Sequence, residues 1–553
     1  MKQKHILKWL GIALGVYLLY GVLTAILVPL SQKEATGELW SQYEARLSED
    51  ASQERVRSIE DTDSALLWRL QLIESAEREV IFSTFDLRAD GSGQDLMAAL
   101  YGAAQRGVRV RVIVDGLNGF LHLQNSGVLR ALAAEENVEV KFYDPIDLLR
   151  PWKLNYRLHD KYLIADGSKY ILGGRNSNDL FLGSYQENQN IDRDVLVVSD
   201  GGEGSSVSQL LTYFESAWSQ PENQTITGKT SSQTDALQER YAALCAVHGK
   251  ELAAVDWEVE TAAVTHVSLL SGSPRAEAKA PELWDALVRL MAQGDDVLLQ
   301  TPYIICNDKM YNDLEALAET RQLRVLTNAV ENGANPSGCS DYLREKQNIL
   351  SRGVDVYEVV CGQSLHTKTI LIGDDLSIVG SFNADMRSAY LDTELMLVIE
   401  SEEVNAALRQ ESVQYIDQSR LALHDEPYPY ILPLNFGLEV DGETVRLYFH
   451  GASTGTKYDL IAKNPLVSFE MDRGHALILD DEHGNCTMTY ESVIGQGHIT
   501  VVPDADKERA LRVLMAQYRA PDFPYAKAVI PATTVLCLTV EHMTGKRRAK
   551  KHG

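Results

Sequence analysis

At 553 residues the chain is too long for one ordinary domain and suggests three or four domain-sized units, although a duplicated fold can merge two into one body. With 45% hydrophobic and 24% charged residues it has ample material for packed cores, which excludes wholesale disorder. Its 52 Lys and Arg against 78 Asp and Glu leave a formal charge of -26, which disfavours a nucleic-acid partner and means that docking on anionic lipid needs a hydrophobic anchor.

The first element is such an anchor. From Trp9 to Leu30 the chain carries no charge, a run long enough to cross a bilayer as a helix. Lys2, Lys4 and Lys8 precede it, whereas Lys33 is followed by Glu34, Glu38 and Glu44. The positive-inside rule then sets the N-terminus in the cytoplasm and the bulk of the chain outside, in the cell membrane as a single-pass protein. A cleaved signal peptide is the alternative, although the run exceeds a typical signal core and no clear small-x-small cleavage site follows it. Residues 1–30 are thus read as the anchor, and the polar, acidic residues 31–62 as a helical or loose stalk.

Residues 63–220 read as a first half. Leu66–Glu77 is an amphipathic helix, Val80–Leu87 a buried strand, Asp95–Arg106 a helix and Val108–Asp115 a strand, the rhythm of a parallel βαβ unit. Residues 221–256 form a linker, beginning with the Thr/Ser/Gln/Gly-rich, exposed stretch 221–233. Residues 257–424 replay the order: Pro281–Gln293 helix, Asp296–Ile304 strand, Lys309–Thr320 helix, Leu323–Val330 strand. Six cysteines (Cys245, Cys306, Cys339, Cys361, Cys486, Cys537) show neither C-x-x-C nor Cys/His ligand spacing, so no metal site is expected and buried free thiols are the default reading.

Each half ends in the same motif, LHDKYLIADGSKYILGGRNSND from Leu158 and LHTKTILIGDDLSIVGSFNADMRS from Leu365. His159 to Gly173 and His366 to Gly380 are each fourteen residues apart, and His159 to Asn176 and His366 to Asn383 each seventeen. A lone strand His is more often a satisfied core residue than a catalyst. Here two occur, each with a Lys two residues on, and period-two alternation points His159 with Lys161 to one side and Asp160 to the other. His366 and Lys368 repeat this. Four such groups with Asn176 and Asn383 make a cationic pocket suited to a phosphodiester: Lys and Asn hold the non-bridging oxygens, one imidazole attacks phosphorus and the other protonates the leaving alkoxide. No metal ligand is required.

The HxKxxxxD pattern followed by GGRN or GSFN resembles the phospholipase D superfamily. LGGRNSNDLF with DRDVLV, then GSFNADMRSAYLDTE, is similar to its cardiolipin synthase branch over roughly Asp61 to Leu423. The resemblance implies two like α/β/α halves and phosphatidyl transfer through a phosphohistidine, without a cofactor. It implies His159 as nucleophile, His366 as general acid, and Lys161, Lys368, Asn176 and Asn383 on phosphate. Asp194 and Glu394 take the acidic place that orients a catalytic His. Asp166 fills the pattern's last position in the first copy. The second copy has Gly373 there and Asp374 one residue later, so either Asp374 compensates or this Asp shapes a turn.

Beyond residue 424 the rhythm changes to alternating strands broken by Asp-Gly and Gly-rich turns, an antiparallel barrel over 425–553 with a helix at Ala505–Tyr518. Its LNFG, FHGASTGTKYDLI and YESVIGQGH segments resemble the nitroimidazole-resistance branch of the pyridoxamine 5'-phosphate oxidase-like split barrels. The resemblance implies flavin mononucleotide (FMN) at a dimer interface, with His450 and Lys457 near it; a barrel serving only as a dimerisation module is the alternative.

The fold class expected is therefore α/β: duplicated phospholipase D-like halves after one transmembrane helix, followed by a split β-barrel. The function expected is a membrane-anchored phosphatidyltransferase on phospholipids such as phosphatidylglycerol, forming a homodimer through the barrel. The alternatives are a phosphodiester hydrolase, with water replacing the acceptor alcohol, and a flavin-dependent reductase in the C-terminal domain.

Overall fold

The computed structural model describes residues 9, 14–24, 32–47, 53–252, 255–332 and 336–421 of one unit, Met1–His424. Of a second unit, Asp425–Gly553, it describes residues 432, 434–442, 444–452, 455–480, 485–518, 520, 530–531 and 533–548.

The first unit contains two sheets of like topology. In the first half, Glu79–Thr84, Arg109–Asp115 and Val138–Tyr143 run parallel, and Tyr162–Ala165, Lys169–Gly173, Asp194–Ser199 and Glu54–Ile59 continue antiparallel from Glu79–Thr84. In the second half, Asp296–Gln300, Gln322–Asn328 and Asp355–Val359 are the parallel trio, and Thr369–Ile372, Leu376–Gly380, Leu395–Glu400 and His266–Ser271 complete the repeat. The central strands read as near-continuous apolar runs because both faces are covered. One core joins the sheets, with Ile81, Ile113, Ile164 and Val197 of the first meeting Leu298, Leu326, Leu371 and Leu397 of the second. Separate cores lie under the outer helices of each half.

The expected helices and strands are present with shifted ends. The strand expected to reach Leu87 stops at Thr84, and Leu87 instead forms a single bridge with Ser177, which brings the chain after this strand onto the GGRN segment. Two segments expected to be connections are integral parts of the fold. Within residues 31–62, helix Glu38–Leu47 buries Leu39 and Tyr43 in the second half's core, and Glu54–Ile59 is a strand of the first half's sheet. A polar helix that meets the core through Leu39, Tyr43 and, in part, Trp40 carries a weak pattern, which is why composition read it as a stalk. The linker contains helix Ser232–Leu252, which docks on helix Gly91–Gln105. Gly102 admits the Tyr241 ring, and Arg240 Nε donates to Asp95 Oδ1 at 2.7 Å.

The apolar run from Trp9 to Leu30 lies partly outside the described residues. Within it residues 14–24 are helical, and among the described residues no helix is long and apolar enough to cross a membrane. In the second unit five antiparallel strands pair in the order Gly437–Asp441, Thr444–Gly451, Thr534–Arg548, Asn485–Val501, Leu466–Asp480, with helices Thr456–Lys463 and Lys507–Gln517. Residues 425–431 at the start of the expected barrel, and 422–424 before it, lie outside the described residues. The five described cysteine side chains, Cys245, Cys306, Cys339, Cys361 and Cys537, are free.

Candidate active site

The two HxK segments meet where the halves join. Leu158 bridges Thr393, and Ile191 bridges Leu365, so each motif pairs with the strand entry of the opposite half. The backbone N–H of His159 donates to Thr393 Oγ1 at 3.0 Å, and that of His366 donates to Ile191 O at 2.7 Å. Asp160 points away from the pocket, as alternation requires, and accepts from Ser83, Tyr213 and Thr393 hydroxyls at 2.6, 2.7 and 2.9 Å. This buried carboxylate ties His159's own strand to the other half.

The carboxylates that face the imidazoles are exchanged between halves. His159 Nδ1 lies 2.9 Å from Glu394 Oε1, and His366 Nδ1 lies 2.6 Å from Asp192 Oδ2. With Nδ1 committed to a carboxylate, Nε2 is the atom left for chemistry. Glu394 also accepts from the Ser381 and Ser388 hydroxyls. A ring packs edge-on against each imidazole at 4.9 Å between centroids, Phe85 on His159 and Phe181 on His366.

Asp194, expected to orient a His, does not. It pairs with Arg69 at 2.9 Å and with Arg175 at 3.2 Å, all three side chains being buried. The strand register explains the offset. Gly173 pairs with Asp194 but Gly380 pairs with Met396, so the residue equivalent to Glu394 is Asp192. Gly174 gives Asp192 its place, since a Cβ there would lie 2.3 Å from Asp192 Oδ1. The second half has Ser381 at that position, and its hydroxyl bonds Glu394 instead.

Asp166 also lies outside the pocket. It sits in a left-handed turn (φ 54) and accepts from the backbone N–H groups of Glu77, Arg78 and Glu79 at 2.9, 2.7 and 2.9 Å. Gly373 adopts the same conformation (φ 52) without side-chain help, because glycine takes positive φ freely, and Asp374 is exposed. The missing Asp of the second motif is therefore a difference between two ways of making one turn.

Lys161 and Lys368 are buried, and desolvation lowers their ammonium groups to about 8 and about 7, against the pull of Glu394 and Asp160 in one case and of Asp192 in the other. Their Nζ atoms reach the backbone oxygens of His159 and His366, and Lys368 Nζ also lies 2.7 Å from His366 Nδ1. Desolvation, then repulsion by Lys161 and Lys368, holds His159 well below its ordinary range. Desolvation and Lys368 hold His366 at about 4, with Asp192 pulling the other way. Burial would raise Asp192, yet Lys368 and His366 outweigh it and keep the carboxyl below its usual range; burial pushes Glu394 well above its own. The Oδ1 atoms of Asn176 and Asn383 are buried without a hydrogen-bond partner among the described residues, while Asn383 Nδ2 is 3.4 Å from Tyr303 Oη. The lysine ammonium groups and the asparagine amide N–H groups are the donors that an oxyanion takes, whereas the unused Oδ1 atoms can only accept.

In the second unit His450 is exposed on strand Thr444–Gly451, and Lys457 Nζ stands 4.3 Å from the Tyr458 ring centroid. Tyr458 Oη is buried without a hydrogen-bond partner among the described residues. A Cβ at Gly451, next to His450, would lie 3.1 Å from both Tyr458 Oη and Lys457 Cε, so these groups gather at one strand end. A cation and an unused hydroxyl are donors of the kind a flavin phosphate takes, and the residues fit such a group.

Residues 70–218 and 287–415, together about half of the chain, match the family model described as cardiolipin synthase, PLD-like domain. The chain belongs to this family and is a phosphatidyltransferase of the phospholipase D superfamily. It is 27% identical over 403 residues to cardiolipin synthase C of Escherichia coli, covering 64% of this chain and 83% of that protein. It is 25% identical over 434 residues to an uncharacterized protein of Helicobacter pylori, covering 71% and 85%. The fold resembles that of phosphatidylserine synthase from Haemophilus influenzae, with a TM-score of 0.50 at 16% identity over 69% of this chain and 92% of that one. Residues 400–547 match the pyridoxamine 5'-phosphate oxidase model, so the C-terminal part is a domain of that kind. The two matches overlap at helix Glu402–Asp417, whose Val404 and Leu408 are buried in the core shared by the phospholipase D-like halves.

Proposed function

We propose that the enzyme makes cardiolipin from phosphatidylglycerol through a phosphohistidine. His159 Nε2 attacks phosphorus, the bond to the glycerol headgroup breaks, and His366 donates the proton that the departing alkoxide takes up. His366 then removes the proton from a hydroxyl of a second phosphatidylglycerol, whose oxygen displaces His159 and yields cardiolipin. Lys161, Lys368, Asn176 and Asn383 hold the non-bridging oxygens. The observation that carries this reading is the exchanged pair of carboxylates, which commits both imidazoles by Nδ1 and builds one site from two halves.

The assignment of roles follows from the difference between the pairs. His366 has the more exposed side chain, 20% against 11%, and faces a carboxylate held in its ionised range, which suits a group that must alternate between imidazole and imidazolium. Burial is the largest cause that holds both imidazoles down and lysine charge the next; an incoming phosphodiester offsets the second and so shifts His366 toward its protonated form. Incubating the enzyme with phosphatidylglycerol vesicles and reading cardiolipin, phosphatidic acid and free glycerol together tests the reaction. Equal cardiolipin and glycerol are expected; phosphatidic acid without cardiolipin would mean hydrolysis.

The apolar run Trp9–Leu30 is proposed as a single-pass anchor with a cytoplasmic N-terminus, supported by its length and the lysines before it. Retention in membranes after alkaline carbonate washing is expected. In the C-terminal domain His450 and Lys457 would hold FMN, which when bound supplies two-electron redox chemistry. The flavin absorption band of the purified protein is the test, and a sample that stays colourless after incubation with FMN leaves the domain a dimerisation module.

A further inference from the structure

An open groove of about 650 Å³ lies in the first half, its wall starting at Gly116. Its walls are apolar at Phe120, Leu123, Phe142, Ile146 and Leu148, with Arg130 and Lys229 among its lining residues. Both cations are exposed, and among the described residues neither has an ion-pair partner, in a chain whose formal charge is -26. An apolar trough of this volume with two cations has the chemistry of an amphiphile site.

The groove connects to the reacting histidine through short contacts. Its wall begins at Gly116, directly after Asp115, whose carboxylate binds Arg157 and accepts from the N–H of Leu158, the residue before His159. Asn118, in the same wall segment, donates to Phe85 O at 3.0 Å, and the Phe85 ring is the one packed on His159. The wall then makes a π-helical turn over Gly119–Leu123, which turns Phe120 and Leu121 outward at 46% and 61% exposure.

The outer lip is apolar as well. Leu148 and Leu149 are 70% and 82% exposed, and the helix over residues 14–24 leans on them: Tyr17 Oη donates to Leu148 O at 2.7 Å and Tyr20 Oη to Leu149 O at 3.4 Å. The Tyr20 ring meets Trp152 edge-on at 6.2 Å. That helix exposes Leu14, Val16, Leu18, Leu19 and Val22. Lip and helix thus form one apolar surface that ends in the groove, larger than scattered surface leucines account for.

We infer that this groove receives an acyl chain of the phosphatidylglycerol substrate. The Leu148–Leu149 lip enters the lipid alongside the residue 14–24 helix of the proposed anchor, and Arg130 and Lys229 face lipid phosphates. The inference rests on the phosphatidyltransfer reading for the identity of the lipid. Occupation of the groove is nevertheless measured without turnover.

The test uses the full chain with vesicles containing phosphatidylglycerol that bears a diazirine at the end of one acyl chain. After illumination, adducts are expected within residues 116–123 and 225–229. Thr227→Trp, an exposed lining position outside the catalytic pocket, is expected to lower them at least tenfold. Adducts confined to other segments, or unchanged by this substitution, overturn the inference. In turnover, Thr227→Trp and the double variant Leu148→Asp/Leu149→Asp are each expected to lose at least tenfold in kcat/KM on dioleoyl-phosphatidylglycerol vesicles. Both should stay within twofold on monomeric dihexanoyl-phosphatidylglycerol, and an equal loss on both substrates would overturn the inference. Groove adducts in a wild-type protein that turns over neither lipid would instead sink the phosphatidyltransfer reading and leave the groove standing.

Discussion

The two halves of the phospholipase D-like unit share a strand order but solve two local problems differently. At the turn after the HxK strand the first half uses Asp166, whose carboxylate caps three backbone N–H groups, and the second uses Gly373 with nearly the same φ. At the pocket, the first half contributes Asp192 to His366 across the junction and the second contributes Glu394 to His159. The turn difference lies away from the chemistry, whereas the carboxylate exchange means that neither half holds a complete catalytic pair. Completeness is a property of the assembled unit, so the choice of His159 as nucleophile rests on the difference between the Asp192 and Glu394 pairs.

The comparison breaks first at the imidazoles. His159→Ala and His366→Ala should each lower cardiolipin formation roughly a thousandfold or more, measured on phosphatidylglycerol vesicles. The exchanged carboxylates come next: Asp192→Asn and Glu394→Gln should each cost roughly a hundredfold in kcat with the melting temperature little changed. Asp194→Asn should do the reverse. It leaves buried Arg69 and Arg175 without their carboxylate and should cost about 3 kcal/mol of stability in denaturant unfolding, while the folded fraction keeps its kcat.

Acid should expose the buried pair. His366 lies near 4 when folded and near 6.5 when unfolded, so the unfolded chain binds more protons between these values and stability falls as pH drops from 6.5 through about 4. Asp192, held below its ordinary 3.8, adds a loss in the same direction at lower pH. The His366 contribution is of the order of 3 kcal/mol, and His366→Gln should flatten that limb of the unfolding profile. The smallest effect belongs to the turn. Asp166→Gly should change stability by about 1 kcal/mol, as lost caps and relieved positive φ oppose each other, and leave activity within twofold.

Much of this was readable from the chain. The repeat, the βαβ rhythm and the alternation of His159, Asp160 and Lys161 follow from apolar periodicity and fixed spacing, which survive in a buried strand. The acidic partner of His366 was not, because Asp194 and Glu394 each stand immediately before an apolar run and only the strand register shows that the first run starts two residues late. Asp192, adjacent to Arg193 in DRD, could have been found by counting back along the strands paired with the two Gly residues. The helices at Glu38–Leu47 and Ser232–Leu252 were read as connections because their burial depends on a few contacts, chiefly Leu39 and Tyr43 in one and Leu237 and Tyr241 in the other, made with elements distant in sequence. The groove beside Phe120 was equally hidden, since its walls come from four separated segments.

The central claim is that one imidazole carries the phosphatidyl group while its counterpart from the other half moves the proton. Rapid quenching of the His366→Ala variant with phosphorus-labelled phosphatidylglycerol, followed by peptide mapping under alkaline conditions, tests it most directly. Label on the peptide containing His159, stable to base and lost in acid, is the expected result; label on any other residue, or none while turnover persists, would contradict it.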